Sequence, residues 1–239
     1  MPIVLDLDGA LFDTTKREEL CKKNGVMDWN CWFDDRNLKL DTVNEEVLKF
    51  IRELGEDVYI VSARIWERQG VATISQLGPL GLEVRNLLMK PESWKYVKEY
   101  IYKARATVWL ASHGVVINHV VDDNEVVLDV IDSVLPLFGY REPQLWLVKG
   151  GKPVRYEPKP ARIAWVALEP AGDDTFKTTC SAYNIVKIAK TSDTYHALAI
   201  DCPGEPRLAN IFIEALKARV IDKRGTHDWV SPTINITFD

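Results

Sequence analysis

The sequence predicts an α/β protein: a mostly parallel sheet between helices, followed by a small α+β module. Two observations carry this. Over the first ~140 residues, apolar runs short enough for buried strands alternate with amphipathic helical stretches, as in sheets covered on both faces. Beyond a tract rich in Gly and Pro at 139–160, the pattern changes to strands with one helix. The expected domains are 1–145 and 146–239.

The elements follow in order. "IVLDL" from Ile3 is the first strand, and Gly9 is the turn that ends it. A flap candidate containing "MDWNCWFDD" (27–35) comes next. "TVNEEVLKFIRELG" is a helix. Thr42 and Glu45 are spaced as a capping box, Val47, Leu48, Ile51 and Leu54 share a face, and Gly55 stops it. "VYIVS" (58–62) is the second strand, a helical stretch runs from Glu67 to Leu77, and "VRNLLM" (84–89) is the third strand. Pro91 and Ser93 are read as the start of a helix reaching Arg105. "VVINHVV" (115–121) is the fourth strand, with a helix from Glu125 to Val134. In the second module "RIAWVAL", "SAYNIVKIAK", "YHALAI" and "TINITFD" read as strands, and Leu208, Ile211, Phe212, Ala215 and Leu216 mark a helix face.

Bulk properties narrow the function classes. The chain has 239 residues, is 46% hydrophobic and 27% charged, and carries a net charge of -5, an ordinary globular balance that argues against a generally basic nucleic-acid coat. Cys21, Cys31, Cys180 and Cys202 show no C-x-x-C spacing, so reduced thiols in a cytoplasmic protein are expected. The apolar stretch "VVLDVIDSVLPLF" is broken by Asp129 and Asp132 and is too short to span a bilayer, so no membrane partner is expected. His113, His119, His196 and His227 form no ligand-spaced set.

Acidic residues gather where strands end. Asp6 and Asp8 follow the first strand, Ser62 and Arg64 stand at the end of the second, and Asp122 and Asp123 end the fourth. Lys98 lies in the stretch after the third strand, and Lys90 at that strand's end. In a parallel sheet all these ends open on one crevice. Taken singly, each has a plain structural reading: turn former, helix cap or surface charge. An EF-hand is excluded, because Ala10 and Leu11 stand where its loop needs a ligand and a Gly. Together, several carboxylates in one space repel unless a cation joins them, and an all-oxygen site suits Mg²⁺. Mg²⁺ beside Lys, Ser and Arg suits a phosphoryl group.

"VLDLDGALFD", "VSAR", the Lys98 helix and "VVDDN" resemble the four motifs of the haloacid dehalogenase-like superfamily, over roughly residues 1 to 140. More narrowly, the stretch is similar to the phosphatase domain of phage polynucleotide kinase-phosphatases, whose D-W-x-x-F-like segment "MDWNCWF" also resembles. The resemblance implies Asp6 as nucleophile, Asp8 as acid and base, Ser62 as a donor to the phosphoryl group, and Lys98 as the neutralising cation, with Lys90 as its rival. It implies Mg²⁺ on Asp6, the Asp8 carbonyl, Asp122 and Asp123, and Arg64 on the substrate phosphate. Trp32, with Trp29 and Phe33, has two readings, base stacking or flap packing. The interval from Ser62 to Lys98 is too short for a large cap, so the crevice is either open or covered by the second module or by a partner subunit in a homo-oligomer.

The expected function is a Mg²⁺-dependent phosphohydrolase acting on a nucleoside monophosphate, which an acidic chain repels less than a long polyanion. The alternatives are a 3′-end phosphatase on DNA or RNA and a non-catalytic binding or assembly subunit. No P-loop is present, so a kinase half is not expected in this chain.

Overall fold

The opening apolar run, Ile3–Leu5 (β1), is wholly buried in the middle of a sheet. A computed structural model describes residues 2–55, 57–82, 84–172, 175–190, 194–202, 218–222, 225–229 and 235–236. Five further strands share the sheet: Val58–Ile65 (β2), Val84–Lys90 (β3), His119–Asp122 (β4), Gln144–Lys149 (β5) and Lys152–Arg155 (β6). β1 to β5 run parallel in the order β5-β4-β1-β2-β3. β6 closes one edge antiparallel to β5, and Asn235–Ile236 pairs antiparallel with β3 at the other. The chain steps outward from β1 through β2 to β3, then crosses back to lay down β4 and β5 on the opposite side. That reversal opens a crevice at the carboxyl ends of β1 and β4.

Side-chain alternation along the strands sorts the core into two layers. Ile3, Leu5, Val58, Ile60 and Leu87 pack against Glu45–Leu54 and Trp66–Leu77 on one face. Val4, Val61, Leu88 and Val120 pack against Glu99–Ser112 and Glu125–Val134 on the other. With the short helices Thr15–Cys21 and Trp29–Trp32, the six α-helices among the described residues are, in chain order, α1 (15–21), α2 (29–32), α3 (45–54), α4 (66–77), α5 (99–112) and α6 (125–134). The α/β class expected from the alternation is thus present. No helix is long and apolar enough to cross a membrane among the described residues.

The second module contributes its own sheet of Ile163–Gly172 (β7), Thr175–Lys177 (β8), Ile185–Lys190 (β9), Tyr195–Ile200 (β10), Ala218–Asp222 (β11) and Gly225–Trp229 (β12), in the order β9-β10-β7-β8-β11-β12. Trp165, Val186, Leu198 and Ile200 join the core around α5 and α6, so the second sheet covers the outer side of those helices. This explains why α5 is apolar nearly all round. Arg105 of α5 crosses the seam, donating to the carbonyls of Ile185 and Ala182, with its guanidinium 4.5 Å from the Trp94 ring centroid.

Several local expectations change. Thr42 does not cap α3: Thr42–Val43 pairs with Phe12–Asp13, and Asn44 takes the cap position. The helix expected from Pro91 begins instead at Glu99, because 92–94 form one 3-10 turn and Lys98 is extended. The sheet runs past residue 145 to Arg155, and Asn235–Ile236, the described part of the expected "TINITFD" strand, pairs with β3 rather than with the second sheet. The helix face expected at Leu208 to Leu216 lies outside the described residues. The cysteines are not reduced thiols: Cys21 pairs with Cys31 and Cys180 with Cys202. Spacing along the chain could not reveal this, since the bridge needs only that the fold bring two Cα atoms together, here 5.3 and 5.7 Å apart. With the thiols goes the argument they lent to a cytoplasmic location.

Arg105→Ala leaves two carbonyls unpaired in a buried seam, and an expected loss of about 2–4 kcal/mol in unfolding free energy is read by urea denaturation. An unchanged midpoint would show that the seam does not depend on this side chain.

Candidate active site at the crevice between β1 and β4

The end of β1 delivers Asp6 and the end of β4 delivers Asp122 and Asp123. One carboxylate oxygen from each lies within 4.8 Å of the other two, close enough for a single cation. Gly9 makes this approach possible. It has φ +85, and a Cβ there would stand 2.0 Å from Asp123 Oδ2. Asn124 caps α6 through its own side chain, and its N–H donates to Asp122 Oδ1 at 3.0 Å, fixing that carboxylate.

Lys103 enters this group from the second turn of α5. Its ammonium lies 2.9 Å from Asp6 Oδ1, 2.8 Å from Asp122 Oδ2 and 2.6 Å from Glu99 Oε1. Asp6 Oδ2 is buried and has no hydrogen-bond partner. Burial pushes the Asp6 carboxyl well up, against the pull of Lys103. Burial likewise raises Asp122 and Asp123, each to about 7. Glu99 is held below its ordinary value by the Lys103 charge. Burial alone would lower Lys103, but Asp122, Asp6 and Glu99 outweigh it and hold the ammonium charged. One ammonium thus faces four carboxylates, and the net negative charge, with a buried oxygen left unpartnered, is a donor set that fits a hard divalent cation.

Asp8 lies in a different electrostatic setting. Its Oδ1 accepts from Arg17 at 2.6 Å and from both Nε and Nη2 of Arg64, at 2.9 and 2.6 Å. The same arginines reach Asp41, at 3.1 Å from Arg17 and 3.0 Å from Arg64. Burial works to raise Asp8, but the guanidinium groups of Arg64 and Arg17 prevail and hold it below the usual carboxylate range. Arg17 and Asp41 come from the two ends of the flap, so the network binds the flap to Asp8 beyond β1 and to Arg64 of β2. The Cys21–Cys31 bridge ties α1 to α2 within it.

Above the acids lies a cavity of about 900 Å³. Trp29, Trp32 and Phe33 of the flap line one side, and Lys90, Tyr96 and Lys98 the other. The Arg17 guanidinium sits 4.0 Å from the Trp32 ring centroid, so one face of that ring is already taken by packing. Trp29 stacks on Phe33 and remains 60% exposed.

The structure therefore unites Asp6, Asp8, Asp122 and Asp123 at one crevice, but redistributes the other expected residues. Lys98 does not neutralise Asp6; its ammonium bonds the Tyr100 hydroxyl, because the later start of α5 leaves it at the cavity rim. Lys103 occupies that position instead. Arg64 is 1% exposed and spends its donors on Asp8, Asp41, Thr73 and Gln76, so it is a partner of Asp8 rather than a grip on substrate. Ser62 is buried, its Oγ accepting the Arg64 N–H at 3.3 Å. Lys103, Glu99, Arg17 and Asp41 were not expected from the sequence. The signal for Lys103 was a cation, one of two with Arg105, inside the otherwise apolar run "IYKARATVWLA", four residues after Glu99. No family model, curated protein or solved structure matches this chain.

Gly9→Ala forces a strained φ and pushes the Asp123 carboxylate aside; a loss of at least about 1 kcal/mol is expected by thermal or urea unfolding. Lys103→Met removes the cation that contacts Asp6, Asp122 and Glu99, at an expected cost of about 3–5 kcal/mol. The acids then bind protons in the folded state at pH values where the unfolded chain has lost them, so stability falls as pH rises from 5 to 8. Unfolding measured at both pH values should give the larger deficit at pH 8; equal deficits would contradict this account.

Proposed function

We propose that this chain is a Mg²⁺-dependent phosphohydrolase of the haloacid dehalogenase type, removing a phosphate monoester from a nucleotide through Asp6. The observation that carries the reading is the state of Asp6. One oxygen is held by Lys103, while the other is buried without a partner on the floor of a cavity and beside two more acids. A carboxylate kept in this condition is poised as a nucleophile.

In the first step Asp6 Oδ2 attacks phosphorus, and the bond to the leaving oxygen breaks with its electron pair. Asp8 delivers a proton to that oxygen. In the second step water attacks the aspartyl-phosphate, Asp8 takes the proton from water, and the bond between phosphorus and Asp6 breaks to restore the carboxylate. Lys103 fixes the trajectory of Asp6. Mg²⁺ would be held by Asp6, Asp122, Asp123 and the Asp8 carbonyl, and would neutralise charge on the phosphoryl oxygens. Arg17 and Arg64 favour the ionised form of Asp8, which suits the second step. They oppose the first, so leaving groups that need little protonation should react fastest.

The cavity volume is within the range of sites for compact ligands, and the flap covers one side, which supports a nucleoside monophosphate over a long strand. The test is phosphate release from p-nitrophenyl phosphate and from nucleoside monophosphates, with Mg²⁺ and with EDTA. Activity should need Mg²⁺, fall about 10³-fold or more in Asp6→Asn, and be greater on the aryl than on the alkyl esters. Release no faster than the Asp6→Asn variant would instead leave a non-catalytic binding protein. Activity confined to 3′-phosphorylated oligonucleotides would point to the end-processing alternative.

A further inference from the structure

Two lysines face the cavity with no carboxylate in direct contact among the described residues. Lys90, at the end of β3, is 5% exposed, and the bond described for its ammonium is a long one, 3.5 Å to the Lys95 carbonyl. Lys98 stands on the rim and donates to the Tyr100 hydroxyl at 2.9 Å. Neither makes an ion pair among the described residues. Their neighbours differ: Arg68 and Lys95 on the same cavity both bind Glu92, at 2.7 and 3.2 Å. Glu99 acts on Lys90 from beyond ion-pair distance, and a buried ammonium with no carboxylate in direct contact is costly. The desolvation is visible in Lys90 itself, whose ammonium is pushed down to about 8.

The scissile phosphoryl group does not account for these charges. Its cation on Asp6 is Lys103, already engaged by three carboxylates. Lys98 is also held in place from outside the first sheet. The Tyr100 hydroxyl donates to Asp201 Oδ2 at 2.7 Å, and Asp201, immediately after β10, takes a left-handed φ of 57 beside the Cys180–Cys202 bridge. A hydrogen-bonded chain thus runs from the second module to the cavity rim.

We propose that Lys90 and Lys98 form an anion subsite for a second phosphate group on the substrate, next to the one that is hydrolysed, and that the second module sets this subsite through Asp201 and Tyr100. The inference rests on the phosphohydrolase reading above. The second phosphate belongs either to a nucleoside bisphosphate or to the diester of a short oligonucleotide end, which share this chemistry.

The experiment compares kcat/KM for a nucleoside 3′,5′-bisphosphate and a 3′-phosphorylated dinucleotide with the values for the 3′- and 5′-monophosphates. The wild type should prefer at least one doubly phosphorylated substrate by about tenfold or more, the size of one charge-assisted hydrogen bond. Which of the two is preferred identifies the source of the second phosphate. That ratio should collapse towards one in Lys98→Gln and Lys90→Met, and fall several-fold in Asp201→Asn and Tyr100→Phe. Calorimetric binding of the same ligands to Asp6→Asn gives a second readout, independent of turnover. Folding of each variant is checked by circular dichroism. A ratio near one in the wild type, or one unchanged in folded lysine variants, would overturn the subsite. Absence of p-nitrophenyl phosphate turnover would sink the phosphohydrolase reading alone, because the binding preference in Asp6→Asn still tests the subsite.

Discussion

A single ammonium among buried carboxylates governs how this molecule is built. Lys103 contacts Asp6, Asp122 and Glu99 at once, and each of those acids arrives from a different element: the ends of β1 and β4, and the first turn of α5. Bringing the acids together out of water is unfavourable, and one cation does not offset all of them. The arrangement persists because the surrounding core is dense and apolar, with Tyr102 and Ala104, which flank Lys103 on α5, both buried. The remaining negative charge leaves the crevice with a donor set that could hold a divalent cation.

A second ionic group, equally buried, does different work a short distance away. Arg17 and Arg64 share Asp8 and Asp41 between them, two positive and two negative groups. This set is balanced, so it has no need of an added ion, and it serves to lock the flap against β2. The two groups divide the opening Asp6–Asp8 pair cleanly: β1 ends at Leu5, so strand alternation does not hold the two acids to one face, and one meets the lysine and the other the arginines. The second module is joined to this machinery at two points, through Arg105 in the seam and through Asp201 at the rim. Its role therefore extends to the site.

Much of the layered core was legible because strand and helix periodicities announce themselves locally. β1, α4 and α6 lie where the pattern put them, and the acids at the ends of β1 and β4 converge as parallel topology requires. The region from Pro91 to Lys98 was misread for a physical reason. A Pro followed by Ser satisfies the local rules for a helix start, yet Trp94 is buried against Tyr102 and Arg105, and that packing holds the segment as a short turn. The helix begins eight residues later than Pro91, and the cation that meets Asp6 is Lys103 rather than Lys98. The cysteine pairs were illegible for a related reason, since the approach of α1 to α2 and of 180 to 202 is made by the fold and not by spacing.

The sequence by itself determined the alternation of elements, the acidic strand ends, and the turn at Gly9, because these depend on residues adjacent in the chain. Only the tertiary structure decided which cation meets Asp6, that Arg64 serves Asp8, and that the second module reaches the cavity. Long side chains such as Lys and Arg can reach many partners, and which one they take depends on helix register and burial, quantities that no local pattern encodes.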